Sequence, residues 1–135
     1  LLQAVPSRAH LLLVGDIEQL IQAVLNVVRN AAQALLSGAN DGRGGTIVLR
    51  TRTARQVTIA RQRHKLALEL QVIDDGPGVP EEIRDRVFNP LVSGQEGGSG
   101  IGLALVQTYV QNHGGVVEFD SRPGRTLFTL LLPLA

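Results

Sequence analysis

The chain has no cysteine, no methionine and no tryptophan among its 135 residues. Without cysteine there is no disulfide, no thiolate nucleophile and no Cys-based zinc site. Aromatics are scarce, three Phe and one Tyr, so stacking on aromatic faces is not how this chain holds a ligand. An excess of charge is missing too. Thirteen cations against twelve anions leave +1, too little to argue for a nucleic-acid or membrane partner. No apolar run approaches the ~20 residues of a bilayer span. No basic start leads into an apolar core and a cleavage site, so no signal peptide is legible, and the expected location is cytoplasmic. The missing methionine also means no initiator, and the chain opens on Leu1 in apolar sequence. It reads as a piece of a longer protein.

What is present fits one domain over residues 1–135. Hydrophobic residues make up 44%, enough for a single ordinary core at this length. His10 to Val14 reads as a short strand. Asp16 is a good helix N-cap, with Gln19 three residues on to complete a capping box. From there Ile17, Leu20, Ile21, Val24, Val28, Ala31, Ala32 and Leu35 recur at helical spacing. Thr46 to Thr53 and Leu66 to Ile73 alternate like two strands joined by a polar link. Pro80 opens a short helix holding Ile83, Val87 and Phe88. Residues 89–98 show no periodicity and read as a mobile loop. Ile101 to Val110 is a second amphipathic helix, stopped by His113-Gly114-Gly115. Val116 to Asp120 and Thr126 to Leu132 close the chain around a Pro123-Gly124 turn. Helices interspersed among hairpin-connected strands predict an α/β two-layer sandwich with a mixed sheet. Arg50, Arg52, Arg61 and Arg63 alternate with apolar or small residues and read as the solvated face of a hairpin.

Three segments carry chemistry. Asn26, Asn30 and Gln33 share one stripe of the first helix. They form either an exposed polar face or carbonyl oxygens offered to a hard cation such as Mg²⁺, which takes few protein ligands. Asp74-Asp75-Gly76-Pro77-Gly78 follows an apolar strand. It is an ordinary turn sequence, or a carboxylate placed to accept from an exocyclic amine with glycines that admit a ligand. Gly98-Ser99-Gly100-Ile101-Gly102 precedes a helix whose first N–H groups lack partners, a ready anion site. A dinucleotide fingerprint is disfavoured, because Leu105 stands where G-x-G-x-x-G from Gly100 needs glycine. A Walker loop is excluded, since the only lysine, Lys65, follows His64. His10, His64 and His113 are isolated from one another and lack zinc-ligand spacing.

In this order the segments resemble the ATP-binding catalytic domain of bacterial sensor histidine kinases, in the gyrase/Hsp90/histidine-kinase/MutL superfamily. Leu25 to Ala34 resembles the N box, Asp74 to Gly78 the G1 box, Val87-Phe88-Asn89-Pro90 the F box and Gly98 to Gly102 the G2 box. The stretch Phe88 to Gly94, the short lid and Glu96-Gly97-Gly98 are most similar to the nitrogen-regulation branch. The resemblance implies a Bergerat-type fold with helices on one face of the sheet. It implies that ATP and Mg²⁺ are bound, with Asp74 on the adenine amino group and Thr126 helping through water. Asn30 would be the metal ligand and Asn26 would support the phosphates. Gly76, Gly78, Gly98, Gly100, Gly102 and Leu103 would line the nucleotide. Residues 89–97 would be the ATP lid, hinged at Phe88 and ordering as nucleotide binds. The implied partners are a histidine-bearing dimerisation domain of the same protein, a response regulator and a PII-type signal protein. The fragment alone would be a monomer and the whole protein a homodimer.

Departures from the family pattern bear on mechanism. The superfamily's ATPases carry a glutamate four residues before the metal-binding asparagine. Here that position is Asn26, and a carboxamide is no general base. No histidine lies in a His-Asp/Glu-x-x-Thr/Asn-Pro context, so the phosphoacceptor is expected upstream of Leu1. Residues 87–121 hold no Lys or Arg, and Gly124-Arg125-Thr126 lacks the usual extra glycine. The competing readings are a non-catalytic nucleotide-binding module and an ATPase of the same fold.

Overall fold

The computed structural model describes residues 2–5, 15–36, 45–88 and 102–134. The elements run β1 (Leu2–Val5), α1 (Ile17–Leu35), β2 (Ile47–Ile59), β3 (Gln62–Asp74), a 3₁₀ helix (Glu81–Arg86), α2 (Gly102–Asn112), β4 (Val116–Arg122) and β5 (Arg125–Pro133). The strands form one sheet in the order β1-β2-β3-β5-β4. Only β1 and β2 run parallel; the other neighbours are antiparallel. The sheet is therefore mixed, as expected. Strand alternation puts Ile47, Val72, Phe128, Leu130, Leu132 and Val117 on one face, where they share a core with α1 and α2.

The helices hold that face through a narrow stripe. α1 buries Ala23, Val27, Ala31 and Leu35, each four residues on from the last, and α2 buries Val106 and Val110. The stripe differs from the one the periodicity suggests. Ile17 is 69% exposed, and Ile21 and Leu25 are also exposed. Apolar residues stand on several faces of α1, so spacing alone does not choose among them. The face that wins carries two alanines, which let the helix lie close to its neighbours.

Other elements depart from expectation for local reasons. The polar link between β2 and β3 is strand almost throughout. Ile59 pairs with Gln62, and the two-residue turn between them is Ala60-Arg61, both at positive φ (50° and 66°). That is the hairpin turn whose twist matches its strands, made here without its favoured Asn or Gly. Arg50, Arg52, Arg61 and Arg63 are all exposed, as expected, and Arg52 also pairs with the buried Glu69 opposite it. The helix after Pro80 is 3₁₀, and Val87 and Phe88 lie in the turn beyond it. β1 was not legible as a strand, and the strand expected at 10–14 lies outside the described residues.

The capping box forms by half. Asp16 Oδ1 accepts from the N–H groups of Glu18 and Gln19, at 3.0 and 3.2 Å. Gln19 does not return the bond; its Oε1 accepts from Asn112 Nδ2 at the end of α2. The Asp16 N–H is taken instead by His113 Nε2 at 2.9 Å. The other ring nitrogen, Nδ1, lies 2.8 Å from the Tyr109 carbonyl oxygen. A carbonyl only accepts, so Nδ1 carries the proton and Nε2 is the acceptor. His113 therefore joins the start of α1 to the end of α2. The ring occupies the space a side chain at Gly15 would need, its nearest atom 2.4 Å from where a Cβ would stand. We expect His113→Ala to lower stability by about 1–2 kcal/mol, the net worth of one or two hydrogen bonds with some packing. Urea unfolding measures it; an unchanged midpoint would mean that solvent replaces the latch.

Candidate functional site

Three buried polar residues stand in a row across three neighbouring strands. Asp74 on β3 pairs with Thr126 on β5, and Thr126 pairs with Ser121 on β4. Paired residues face the same side of a sheet, here the side the helices cover. Asp74 is 2% exposed, Thr126 3% and Ser121 7%. Ser121 Oγ lies 2.8 Å from Thr126 Oγ1 and accepts the Val79 N–H at 2.8 Å. Asp74 Oδ1 accepts from the Gly76 N–H at 3.0 Å.

The loop after β3 is pressed onto the β4–β5 turn. The Gly124 N–H donates to the Gly76 carbonyl at 2.9 Å. Gly78 sits at φ +88°, and a Cβ there would lie 2.7 Å from the Arg122 carbonyl oxygen, so only glycine fits. The two adjacent carboxylates divide their work. Asp75 is exposed and accepts the Thr46 N–H at 2.9 Å, tying the end of β3 to the start of β2. Asp74 points inward, and burial pushes its carboxyl up to about 6, against the pull of the Gly76 N–H and with a push from Asp75.

The helices bring the asparagines alongside. The C-terminal end of α1 reaches the Asp74 loop, where a Cβ on Gly76 would lie 3.3 Å from the Leu35 side chain. Asn26 Nδ2 donates to the Gly102 carbonyl at 3.3 Å, so this side chain also anchors the first turn of α2. Asn30, one turn on, is half-buried, while Gln33 is exposed. Leu103 packs against the core from the first turn of α2. Phe88, Phe119 and Phe128, all the phenylalanines of the chain, form one cluster with centroids 5.6–6.2 Å apart. Phe88 is thus anchored to the sheet where the expected lid begins. Gly98, Gly100 and the lid at 89–97 lie outside the described residues.

The donor set suits an adenine nucleotide. A buried carboxylate with spare acceptor capacity sits beside an equally buried hydroxyl, below a loop cleared by glycine. The asparagines and the start of α2 lie one helix face away. A cavity of about 250 Å³ at the same strand ends is lined by Asp74 together with Thr46, Val48, Ile73, Asp75, Gly124 and Arg125. By strand alternation Val48 and Ile73 point away from the helices, so this cavity reaches Asp74 from the face of the sheet opposite the row with Thr126 and Ser121. The residue the sequence reading missed is Ser121. A serine near a strand end carries no signal until the register sets it beside Thr126.

Burying Asp74 has a sign that can be checked. A carboxyl raised from 3.8 to about 6 on folding favours the native state below pH ~4 and loses that contribution as pH rises through ~6. We expect Asp74→Asn to stabilise the ligand-free protein at pH 7 by about 1–3 kcal/mol, from a shift of roughly two units. The gain should vanish near pH 4. Urea unfolding at pH 4 to 7.5 measures it, and a mutant less stable at every pH would mean the carboxylate serves the fold.

The family described as histidine kinase-, DNA gyrase B-, and HSP90-like ATPase matches residues 15–135. The sensory histidine kinase/phosphatase NtrB of Escherichia coli O157:H7 is 44% identical over 131 residues, 97% of this chain. The protein of that name from Salmonella typhimurium is 47% identical over 119 residues, 88% of this chain. The chain spans about a third of these relatives, 35% and 33% of their lengths. Among solved structures, the mycobacterial sensor histidine kinase MprB superposes with a TM-score of 0.73 at 30% identity, covering 98% of this chain and 81% of that one. The chain belongs to the histidine kinase-, DNA gyrase B- and HSP90-like ATPase family.

Proposed function

We propose that this domain binds ATP with Mg²⁺ and presents it to a histidine on a separate dimerisation domain, in a nitrogen-regulation kinase of the NtrB kind. The buried Asp74 carries the reading. A carboxylate held inside at a cost to stability has its use in the ligand it accepts from, and the exocyclic amine of adenine is a fitting donor. Thr126 assists at the same edge. Gly76 and Gly78 keep the loop thin there, and Gly98, Gly100, Gly102 and Leu103 receive the phosphates at the start of α2, where free N–H groups favour anions. Asn30 offers its carbonyl to Mg²⁺, and Asn26 supports the phosphates through its hold on Gly102. ATP supplies the transferable phosphoryl group; the protein's part is to hold it and keep water from being activated. Asn26 supports that division, because it stands where a hydrolase needs a base and its carboxamide is engaged with a backbone carbonyl.

The partners are part of the same proposal. The phosphoacceptor belongs to a histidine-bearing domain of the same polypeptide, which also makes the homodimer. The response regulator is NtrC-like, and a PII-type protein acts on the lid face. The setting is cytoplasmic, and among the described residues no helix is long and apolar enough to cross a membrane.

Two experiments test this. Nucleotide titrations of wild type should differ between Mg²⁺ and EDTA, and for Asn30→Ala the two curves should converge. Full Mg²⁺ dependence in the mutant would remove Asn30 as the metal ligand. Mixed with a dimerisation domain carrying the acceptor histidine, the chain should phosphorylate that domain. It should label none of His10, His64 and His113. Steady multiple-turnover phosphate release by the chain alone would point to the ATPase branch instead.

A further inference from the structure

The row Asp74–Thr126–Ser121 has a direction. Ser121 Oγ already accepts the Val79 N–H, so its own proton needs an acceptor. Thr126 Oγ1, 2.8 Å away, is its other hydrogen-bond partner. Were Thr126 the donor of this bond, the Ser121 proton would be buried with no further acceptor among the described residues, whereas with Ser121 as donor the Thr126 proton has the Asp74 carboxylate on the neighbouring strand, so only that arrangement offers both protons an acceptor. Ser121 therefore donates to Thr126, and the Thr126 proton is left to point away from β4. On the other side of β5 stands Asp74, whose carboxylate accepts from the Gly76 N–H and has capacity to spare.

We infer that Ser121 is a specificity-determining positioning residue: it fixes the Thr126 hydroxyl as a donor beside the Asp74 acceptor. This rests on the nucleotide reading above and deepens it. Adenine presents a donor, its 6-amino group, next to an acceptor, N1. Hypoxanthine and guanine present the reverse, a 6-oxo acceptor next to an N1–H donor. An acceptor and a donor held side by side match the first edge and oppose the second where Thr126 meets N1 directly. A hydroxyl free to turn would accommodate both. Ser121 itself lies two strands from Asp74 and acts through Thr126, while its bond to Val79 also pins the loop that covers the site.

The test is a ratio. Calorimetric titration with ADP and with inosine diphosphate gives the preference of wild type for the adenine edge. Ser121→Ala should reduce that preference about 3- to 10-fold, the range expected for one oriented hydrogen bond. Ser121→Thr, which keeps the hydroxyl, should restore it. Thr126→Val should reduce the ratio similarly, and adding Ser121→Ala to Thr126→Val should change it no further. If Ser121→Ala weakens both ligands equally, Ser121 only staples Val79 and the inference is overturned. Should that variant fail to fold, proton NMR of wild type decides the same point. A slowly exchanging proton on Ser121 Oγ supports the inference, and one carried by Thr126 toward Ser121 overturns it. Failure of the underlying reading is separate, because wild type would then show no adenine preference, or Asp74→Asn would keep it intact.

Discussion

A carboxylate taken almost wholly out of water constrains everything near it. Asp74 is buried at a strand end with its acidity shifted by that burial, so the loop after it has to supply an N–H, exclude solvent and still leave room for a ligand. Gly76 supplies the N–H, and Gly78 lets the loop lie against the Arg122 carbonyl. Ser121 ties the far end of the loop through Val79. The end of α1 closes the other side through Leu35. Each contact serves the fold modestly and serves the acceptor directly, which is the pattern of a site that trades stability for binding.

α2 is held to α1 at both of its own ends. His113 and Asn112 of the α2 end bond to Asp16 and Gln19 at the start of α1, and Asn26 bonds back to Gly102 at the start of α2. The antiparallel pair is thus pinned in both directions over a core of small and β-branched residues. That matters for the site because the start of α2 has to stay in register with the asparagine face of α1. Asn26 does this directly, since its amide donates to the Gly102 carbonyl and so sets the position of the helix end.

Part of the candidate site was legible because its chemistry is local. A carboxylate at a strand end, glycines beside it and asparagines four apart on a helix are short-range patterns, and the structure brings Asp74, Gly76, Gly78, Asn26 and Gly102 into neighbouring elements. What was not legible was set by pairing. The Ala60-Arg61 turn has no turn residue to betray it; the ladder between Ile59 and Gln62 forces both residues to positive φ. The buried stripe of α1 depended on which face the sheet and α2 would cover, and Ile17 and Ile21 lost to Ala23 and Val27. Gln19 has the right spacing to cap its own helix, yet Asn112, 93 residues away, takes its oxygen.

By itself the sequence determined the period of each long element, the places where glycine lets the chain turn, and the kinds of side chain that could meet a nucleotide and its metal. These depend on interactions within a few residues, which spacing encodes. Only the tertiary structure decided that His113 closes the cap of a helix 97 residues away, and that Ser121 stands next to Thr126 with their hydroxyls in hydrogen-bond reach. Those outcomes depend on strand register and on which polar groups are denied water, and neither exists until distant segments are packed together.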